Sequence, residues 1–345
     1  MKKINFKQYI APAVFFIVLA VVPHFFTKTY YTRVLLEVFY FASLGIAWNI
    51  LGGYGRQICW CGATFFACGA YTSMLMFLKG GEVSPFISVF VGMAVACLLA
   101  FIIGLPCFKL QGVFFSIATI ACATIFRTLL IVFKDFTGGT LGLAFKIRTG
   151  SNLWLMSYET DLPYYYIALV MLLISVIVET IFVKSKYGYF LQAIRDDQIA
   201  AESLGIKSSK IKMITLLVTA CLLAATGTIY AFKVAYIDPN VVASHDMSIR
   251  IGTMAILGGM GTVWGPVLGA FIAIPMQEIA NNYLGTLGGG GAGYAMYGLL
   301  IILIVLFRPE GLISLWPPLK KKVTAFFTKK ADAMKDEKAG EEVSK

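Results

Sequence analysis

Ten long apolar stretches constrain the fold of this chain more than any other feature of its sequence. They cover approximately residues 10–26, 33–51, 57–78, 84–105, 112–133, 164–183, 212–235, 247–259, 265–283 and 294–307. A helix needs about 20 residues to cross a hydrocarbon core, and most of the stretches approach that length. Because 59% of the residues are hydrophobic and only 14% are charged, the composition predicts a polytopic membrane protein rather than a soluble domain.

The spans are predicted to be helices. Unpaired backbone groups are costly in lipid, and the stretches lack the strict apolar–polar alternation of barrel strands. We therefore predict an all-α membrane protein with about ten transmembrane helices and both termini on the same side. The eighth stretch is short, and together with the glycine-rich segment Gly258–Gly265 it predicts a broken or re-entrant helix.

Lysine and arginine are distributed unevenly between the two sides of this arrangement. The side with both termini and the loop from Lys184 to Lys212 carries a large excess of them, which predicts that this side is cytoplasmic. The net charge of +11 is then a topology signal, and we expect no nucleic-acid partner. The predicted organisation is a transmembrane region (1–315) with a long external loop (134–163), followed by a polar, disordered tail (316–345) whose first lysines contact the bilayer.

The cytoplasmic loop from Lys184 to Lys212 is the longest strongly polar segment between two apolar ones. Its core from Phe190 to Leu204 is predicted to be one helix that ends at Gly205. On a helical wheel, one broad sector holds Leu191, Ile194, Ala201 and Leu204. A polar helix between two spans is a candidate docking element for a cytoplasmic partner.

Motifs of enzymes and metal sites are missing from the sequence. It contains no phosphate-binding P-loop, no H-E-x-x-H and no G-x-S-x-G. Its two histidines and seven cysteines show no zinc spacing. We therefore predict no enzymatic activity, no bound metal and no cofactor held by this chain. Arg127 is the deepest charged residue, and a pathway role and a structural pairing with an acid both remain open for it.

Small residues cluster in two glycine-rich segments, one in each half of the chain. Such interruptions of apolar helices build the solute sites of many transporters, although close helix packing explains any single glycine equally well. The candidate residues of a translocation path are Gly53, Gln57, Cys59, Gly62, Gly69, Gly258, Gly259 and Gly261.

Seven segments in fixed order resemble one family, the membrane permeases of bacterial ABC importers for branched-chain amino acids, in particular the LivM type. They are NILGGYGRQ with FFACGAY, LQGVFFSIATIA, TGGTLGL, GYFLQAIRDDQIAAESLGI, AYIDPN, LGGMGTVWGPVLGA and LFRPEGL. The resemblance covers residues 33–315. It implies a location in the bacterial inner membrane and four kinds of partner or ligand source: a LivH-type permease, two cytoplasmic ATPases that use ATP, an external solute-binding protein and the lipid bilayer.

The same resemblance implies that the cytoplasmic loop docks onto the ATPase. The residues at the matching positions are Arg195, Asp196, Asp197, Ala201, Glu202 and Gly205. After the first glycine-rich turn the family usually reads close to G-Q-x-S-x-G-H, whereas this chain has Arg56, Gln57, Cys59, Cys61 and Gly62 there. This departure leaves the solute open. Urea, short amides or other small solutes remain alternatives, as does a stand-alone secondary carrier.

Overall fold

The computed structural model describes residues 7–25, 29–81, 83–145, 154–158, 160–288, 298–299, 301–303, 306–308 and 311–315. The helices are α1 (Lys7–Phe25), α2 (Thr29–Gly52), α3 (Gly62–Lys79), α4 (Pro85–Cys107), α5 (Val113–Val132), α6 (Lys134–Thr137), α7 (Asp161–Lys184), α8 (Lys186–Asp196), α9 (Gln198–Ser203), α10 (Ser208–Val234), α11 (Pro239–Val242), α12 (His245–Gly258) and α13 (Gly265–Gly288). Short 3₁₀ turns cover Gly139–Leu141 and Leu312–Leu315. The predicted tail, and half of the tenth predicted span, lie outside the described residues.

Five of the described helices are long and apolar enough to cross a membrane. They are α2 (from Tyr30), α4, α5, α7 and α10, which confirms the prediction of a helical, multi-pass membrane protein. Their surroundings differ. Most of α2 is buried inside the bundle, whereas most side chains of α4 and α5 are exposed. The outer faces of α4 and α5 are therefore available to lipid or to another subunit.

The centre of the bundle is α2, which packs against α7, α10, α12 and α13. On one side α10 also packs closely on α3. A Cβ atom added at Gly69 of α3 would lie 2.1 Å from the carbonyl oxygen of Ala224, and one at Gly227 of α10 would lie 2.1 Å from that of Phe66. Both glycines are therefore needed for the close approach of these two helices.

Two of the predicted apolar stretches do not form continuous membrane-spanning helices. The predicted span 57–78 begins as a helix only at Gly62, because residues 53–61 are turn and extended backbone. The eighth span, α12, has 14 residues, which is about 21 Å of helix and too short to cross a bilayer. A separate turn of helix, α11, precedes it. The broken helix predicted in the second half is thus present.

The end of the bundle where α2, α7 and α10 meet is held by an ion cluster and a small cap. Asp161, at the start of α7, pairs with Lys233 of α10 and with Arg33 of α2, the latter at 3.6 Å. Strand β1 (Leu143–Ala144) pairs in antiparallel register with β2 (Tyr236–Ile237). The predicted external loop therefore contains ordered structure over 134–145.

The predicted single helix from Phe190 to Leu204 is wrong. The structure divides this segment into α8 and α9, with extended backbone at Asp197 (φ −155°, ψ 111°). The carboxylate of Asp197 accepts hydrogen bonds from the backbone N–H groups of Ile199 and Ala200, at 2.9 and 3.0 Å. Asp197 is thus the N-cap of α9, and this capping ends the preceding helix.

Candidate translocation site and coupling element

The unwound segment 53–61 is partly buried in the helix bundle, with Cys59 and Cys61 buried and Arg56 and Ile58 exposed. Its backbone is held by side chains, since it lacks regular helical hydrogen bonds. The indole N–H of Trp48 donates to the carbonyl oxygen of Cys59 at 2.8 Å, and the side chain of Cys59 is buried. An unwound stretch between apolar helices leaves peptide groups accessible to a solute at that depth.

Helix α5 supplies polar contacts to this segment. The hydroxyl of Ser116 donates to the carbonyl oxygen of Ile58 at 2.9 Å. The hydroxyl of Thr119 accepts from the backbone N–H of Trp60 at 3.2 Å, and the thiol of Cys61 donates to the carbonyl oxygen of Thr119 at 3.0 Å. One face of α5 therefore fixes the path of the unwound chain.

The N-terminus of α12 reaches the same place. The rings of Trp60 and His245 lie 6.1 Å apart, and the hydroxyl of Ser248 accepts from the backbone N–H of Ala63 at 3.1 Å. His245 is exposed and Trp60 is half-buried. The interruptions of both helices therefore meet at one junction, lined by an indole, an imidazole and small hydroxyls. We call these residues, Ile58, Trp60, Thr119, His245 and Ser248, the helix-break junction.

Among the residues that the structure describes, Arg127 pairs with an amide and not with an acid. Its guanidinium donates to the side-chain oxygen of Asn240 at 2.6 Å. Asn240 is in turn held by Asp238, whose carboxylate accepts from its backbone N–H at 2.8 Å and its side-chain amide at 3.1 Å. This chain of contacts joins α5 to α11, the turn that precedes the break before α12.

A second polar contact lies deeper in the bundle, between α2 and α7. The side-chain amide of Asn49 donates to Glu179 at 2.6 Å and to the carbonyl oxygen of Thr262 at 3.1 Å, while its oxygen accepts from the backbone N–H of Gly261 at 2.9 Å. Glu179 is fully buried, and its other carboxyl oxygen has no hydrogen-bond partner among the described residues. Asn49 thus fastens the loop 259–264 to both helices.

The candidate path glycines fall into different environments. A Cβ atom at Gly53 would lie 1.9 Å from the side-chain oxygen of Asn49 and 2.6 Å from the backbone nitrogen of Gly261, so the two glycine-rich segments are brought together. At Gly258 it would lie 1.6 Å from the carbonyl oxygen of Gly265, and at Gly69 it would meet α10. These three glycines serve close backbone approach.

The remaining candidates differ from these three glycines. Gly62 has room, because an added Cβ atom would lie 3.6 Å from Ile251. Gln57 is half-buried. Gly259 and Gly261 have φ angles of 126° and 74°, which favour glycine and form the turn between α12 and α13. Of the eight candidates, Gln57 and Cys59 therefore lie with Gly53 in the unwound segment 53–61, and Gly62 is the first residue of α3.

Helices α8 and α9 form the polar element that connects α7 to α10, and we call Lys186–Ser203 with its C-cap Leu204 the coupling element. The buried face of α8 includes Leu191, whose side chain packs against Gly55 at the end of α2. Gly188 lies against the backbone of Val183, where a Cβ atom would come within 2.4 Å of a carbonyl oxygen. The element is therefore packed directly on the end of the bundle.

Side chains tie α9 to the start of α10. Glu202 accepts hydrogen bonds from the amide of Gln198 at 3.0 Å and from the hydroxyl of Ser208. The ammonium of the buried Lys212 donates to Gln198 at 2.9 Å. The hydrogen bonds from Ser208 and Gln198 lower the pKa of Glu202 below its ordinary value. These contacts connect α9 directly to the N-terminal end of α10.

The predicted coupling residues mostly shape this element. Arg195 pairs with its neighbour Asp196 at 2.8 Å, Ala201 is buried, and Gly205 adopts a φ of 86° after α9. The exposed groups are different ones. Ile199 is 77% exposed and Leu204 is 84% exposed, although the wheel predicted Leu204 on the inward sector. The sequence signal for this exposed apolar pair was an isoleucine and a leucine at the two ends of a short polar helix.

Potential metal-ligating side chains are dispersed over the part of the chain that the structure describes. The described residues contain no group of three or more His, Cys, Asp or Glu side chains that is suited to a metal ion. The features that remain are interrupted helices within an apolar bundle and a polar element that protrudes between two long spans. Together they define an integral membrane transport protein.

Comparison with known proteins identifies the family. The profile of the family described as "Branched-chain amino acid transport system / permease component" matches residues 30–307. The chain therefore belongs to this family of membrane permeases, and the resemblance and transport function predicted from the sequence are confirmed.

Individual relatives agree with this assignment. The chain is 24% identical over 300 residues to the high-affinity branched-chain amino acid permease protein LivM of Escherichia coli K12, which covers 80% of this chain and 68% of that protein. It is 25% identical over 296 residues to LivM of Salmonella typhimurium LT2, with the same shares. It is also 27% identical over 136 residues to LivH of that organism, covering 39% of this chain and 42% of LivH. No solved structure matches the chain.

Proposed function

We propose that this chain is one of two permease subunits of an ABC importer for branched-chain, hydrophobic amino acids. Separate cytoplasmic ATPases drive it, and the chain itself binds no nucleotide. The family assignment supports the transport role, and the similarity to both LivM and LivH supports a pair of related permeases. An external solute-binding protein delivers the amino acid.

The observation that carries the energy-coupling part of the proposal is the pair of exposed apolar side chains on α9. Ile199 and Leu204 project beside the exposed polar residues Glu202 and Ser203 of α9. The preceding helix α8 also exposes Tyr189 and Phe190. Desolvating two such side chains favours association with a partner surface by about 1.5–3 kcal/mol for each full burial. The partner that fits is an ATPase that moves during its cycle, because α9 is tied to α10.

The solute is proposed to pass the helix-break junction. Ile58 and Trp60 give it an apolar and aromatic lining, and Thr119 with the unwound backbone supplies hydrogen-bonding groups. This combination suits a zwitterion with a hydrophobic side chain. The exposed face of α5, which includes Ile117 and Ile125, is where the second permease closes the passage.

The proposed topology has ten spans with both termini in the cytoplasm of a bacterium and the protein in its inner membrane. The coupling element is then cytoplasmic, and the capped end with Asp161 is external. The distribution of lysine and arginine supports this orientation. Reporter fusions at position 145 and at position 205 test it, since a phosphatase reporter is active only outside the cytoplasm.

Reconstitution tests the function. The proteoliposomes contain this chain, its LivH-type partner and the ATPases, and the binding protein is supplied outside. We expect them to accumulate leucine only when ATP is enclosed inside the vesicles. Excess urea is expected not to compete with leucine. Leucine uptake by this chain alone on an ion gradient would show a secondary carrier instead. Competition by urea or acetamide would show an importer of a different solute.

A further inference from the structure

One groove on the outside of the bundle has no role in the transport function proposed above. It has a volume of about 480 Å³ and lies between the C-terminal end of α4 and the N-terminal end of α10. Phe101, Leu105 and Met213 line its apolar part, whereas Lys109, Ser209 and Lys210 line its polar end. Both helices are membrane spans, so the groove runs from the hydrocarbon region toward the membrane surface.

We infer that this groove binds one anionic membrane phospholipid. The headgroup phosphate pairs with Lys109 and Lys210, and an acyl chain occupies the apolar part. Basic pockets between spans at the cytoplasmic side are suited to anionic headgroups. The inference rests on membrane insertion and on the proposed orientation, and it is independent of the transported solute.

The two lysines are available for a ligand. Lys109 and Lys210 are both exposed, and neither has an ion pair or a hydrogen-bond partner among the residues that the structure describes. They come from different helices, at the two sides of one groove. An anion between them therefore gains attraction from both without displacing an internal partner.

The apolar part argues for a lipid rather than a free phosphate. Phe101 is 47% exposed and Leu105 is 53% exposed, and neither contributes to recognition of a small anion. An acyl chain against them buries apolar surface. The absence of a side chain at Gly104 leaves space in the groove, because a Cβ atom there would lie 2.9 Å from the terminal methyl group of Met213.

Charge complementarity also distinguishes this groove from the exposed face of α5. The exposed large side chains of α5 are apolar, as at Val113, Phe114 and Ile117, and suit a protein neighbour. The groove combines two unpaired cations with an apolar wall at the level where α4 ends. This is the chemistry of a lipid with a negative headgroup.

The test is native mass spectrometry of the full-length, detergent-solubilised chain, titrated with phosphatidylglycerol and, separately, phosphatidylcholine. We expect one tightly bound phosphatidylglycerol, with phosphatidylcholine bound more weakly. The variant K109Q/K210Q is expected to weaken phosphatidylglycerol binding by about tenfold or more and to leave phosphatidylcholine unchanged. The variant R56Q/K186Q removes the same charge on the same side from two residues that do not line the groove, and it should bind as the unmodified chain does.

A second variant tests the apolar part without a change of charge. L105W fills the groove from its lipid-exposed side and should weaken both lipids. Equal phosphatidylglycerol binding by K109Q/K210Q and the unmodified chain would overturn the inference, as would equal losses in R56Q/K186Q. L105W is also co-expressed and purified with the partner permease. Loss of that partner in L105W, with lipid binding unchanged, would identify the groove as a protein interface and equally overturn the inference.

Discussion

The side-chain amide of Asn49 donates to the carboxyl group of Glu179 across 2.6 Å, although the two residues are 130 positions apart in the chain. The side-chain oxygen of Asn49 also accepts a hydrogen bond from the backbone N–H of Gly261, and its amide donates a second one to the carbonyl oxygen of Thr262. The contact lies where α2 ends, next to Gly53, and Glu179 is on α7, the helix that leads into the coupling element. It therefore connects the coupling side of the bundle with the turn between α12 and α13.

Loss of this contact is expected to destabilise the protein. In Asn49→Ala, Glu179 stays buried without its hydrogen bond, which should cost about 1–3 kcal/mol. Thermal unfolding of the detergent-solubilised protein measures the effect as a lower midpoint. Glu179→Gln is the matched control, because its amide oxygen still accepts from Asn49. A midpoint lowered as much by Glu179→Gln as by Asn49→Ala would contradict a hydrogen-bonding role.

Two glycines of the first glycine-rich segment should respond differently to an added methyl group. Gly53→Ala places a Cβ atom 1.9 Å from Asn49 and forces the two glycine-rich segments apart. Gly62→Ala meets Ile251 at 3.6 Å, an ordinary contact distance. We expect strongly reduced folded yield and uptake for Gly53→Ala and near-normal values for Gly62→Ala, measured by size-exclusion chromatography and transport. The opposite order would contradict the packing described for Gly53.

The contact between α9 and α10 should depend on pH. Hydrogen bonds from Ser208 and Gln198 lower the pKa of Glu202 from its ordinary value of 4.5. A lowered pKa means that the ionised form stabilises the contact, fully at pH values above the ordinary pKa, and that this stability is lost as pH falls through the lowered pKa.

Limited proteolysis at residues 204–207 between pH 7 and pH 3 measures this loss. Cleavage at pH 7 should be slow in the unmodified chain and faster in Ser208→Ala, which lacks one of the two hydrogen bonds. Each pH requires a protease that is active there, such as pepsin at acid pH and papain near neutral pH, and cleavage at a site outside the coupling element provides the reference. Equal rates in both chains at pH 7 would exclude the proposed tie between α9 and α10.

The helix-break junction predicts a residue-specific effect on transport. Trp60→Ala removes the aromatic wall beside His245 and should raise the KM for leucine severalfold, because an apolar contact with the solute is lost. Trp154→Ala changes an exposed indole outside the junction and should leave the KM unchanged. Uptake kinetics in the reconstituted assembly distinguish them. Equal KM values for both variants would remove Trp60 from the passage.

Much of the fold follows from local sequence patterns, but the details of its interruptions do not. Hydropathy predicts the long helices because length and apolarity suffice for a span. Hydropathy assigns residues 57–61 to the same span as α3, because Ile58, Cys59 and Trp60 are themselves apolar. The unwinding of this segment depends on contacts with Thr119 of α5.

The coupling element shows the same limit. The break at Asp197 is a capping preference that competes with helical periodicity, and a wheel drawn through the break places Leu204 on the wrong face. The contact between Asn49 and Glu179 has no local signal, because it depends on which helices become neighbours. The glycine-rich segments were recognisable, whereas their contact through Gly53 and Gly261 required the fold.

The most direct test of the account is whether the exposed end of α9 contacts the ATPase. A photoreactive phenylalanine analogue at position 204, in the complete co-expressed assembly, is expected to crosslink to an ATPase subunit, whereas the same analogue at position 181, an exposed site on α7, is not. The double variant Ile199→Ser, Leu204→Ser should lose ATP-driven leucine uptake and ATPase co-purification while its thermal midpoint is unchanged. Crosslinking at position 204 to lipid alone, with uptake intact in the double variant, would contradict the proposal that energy enters through the coupling element.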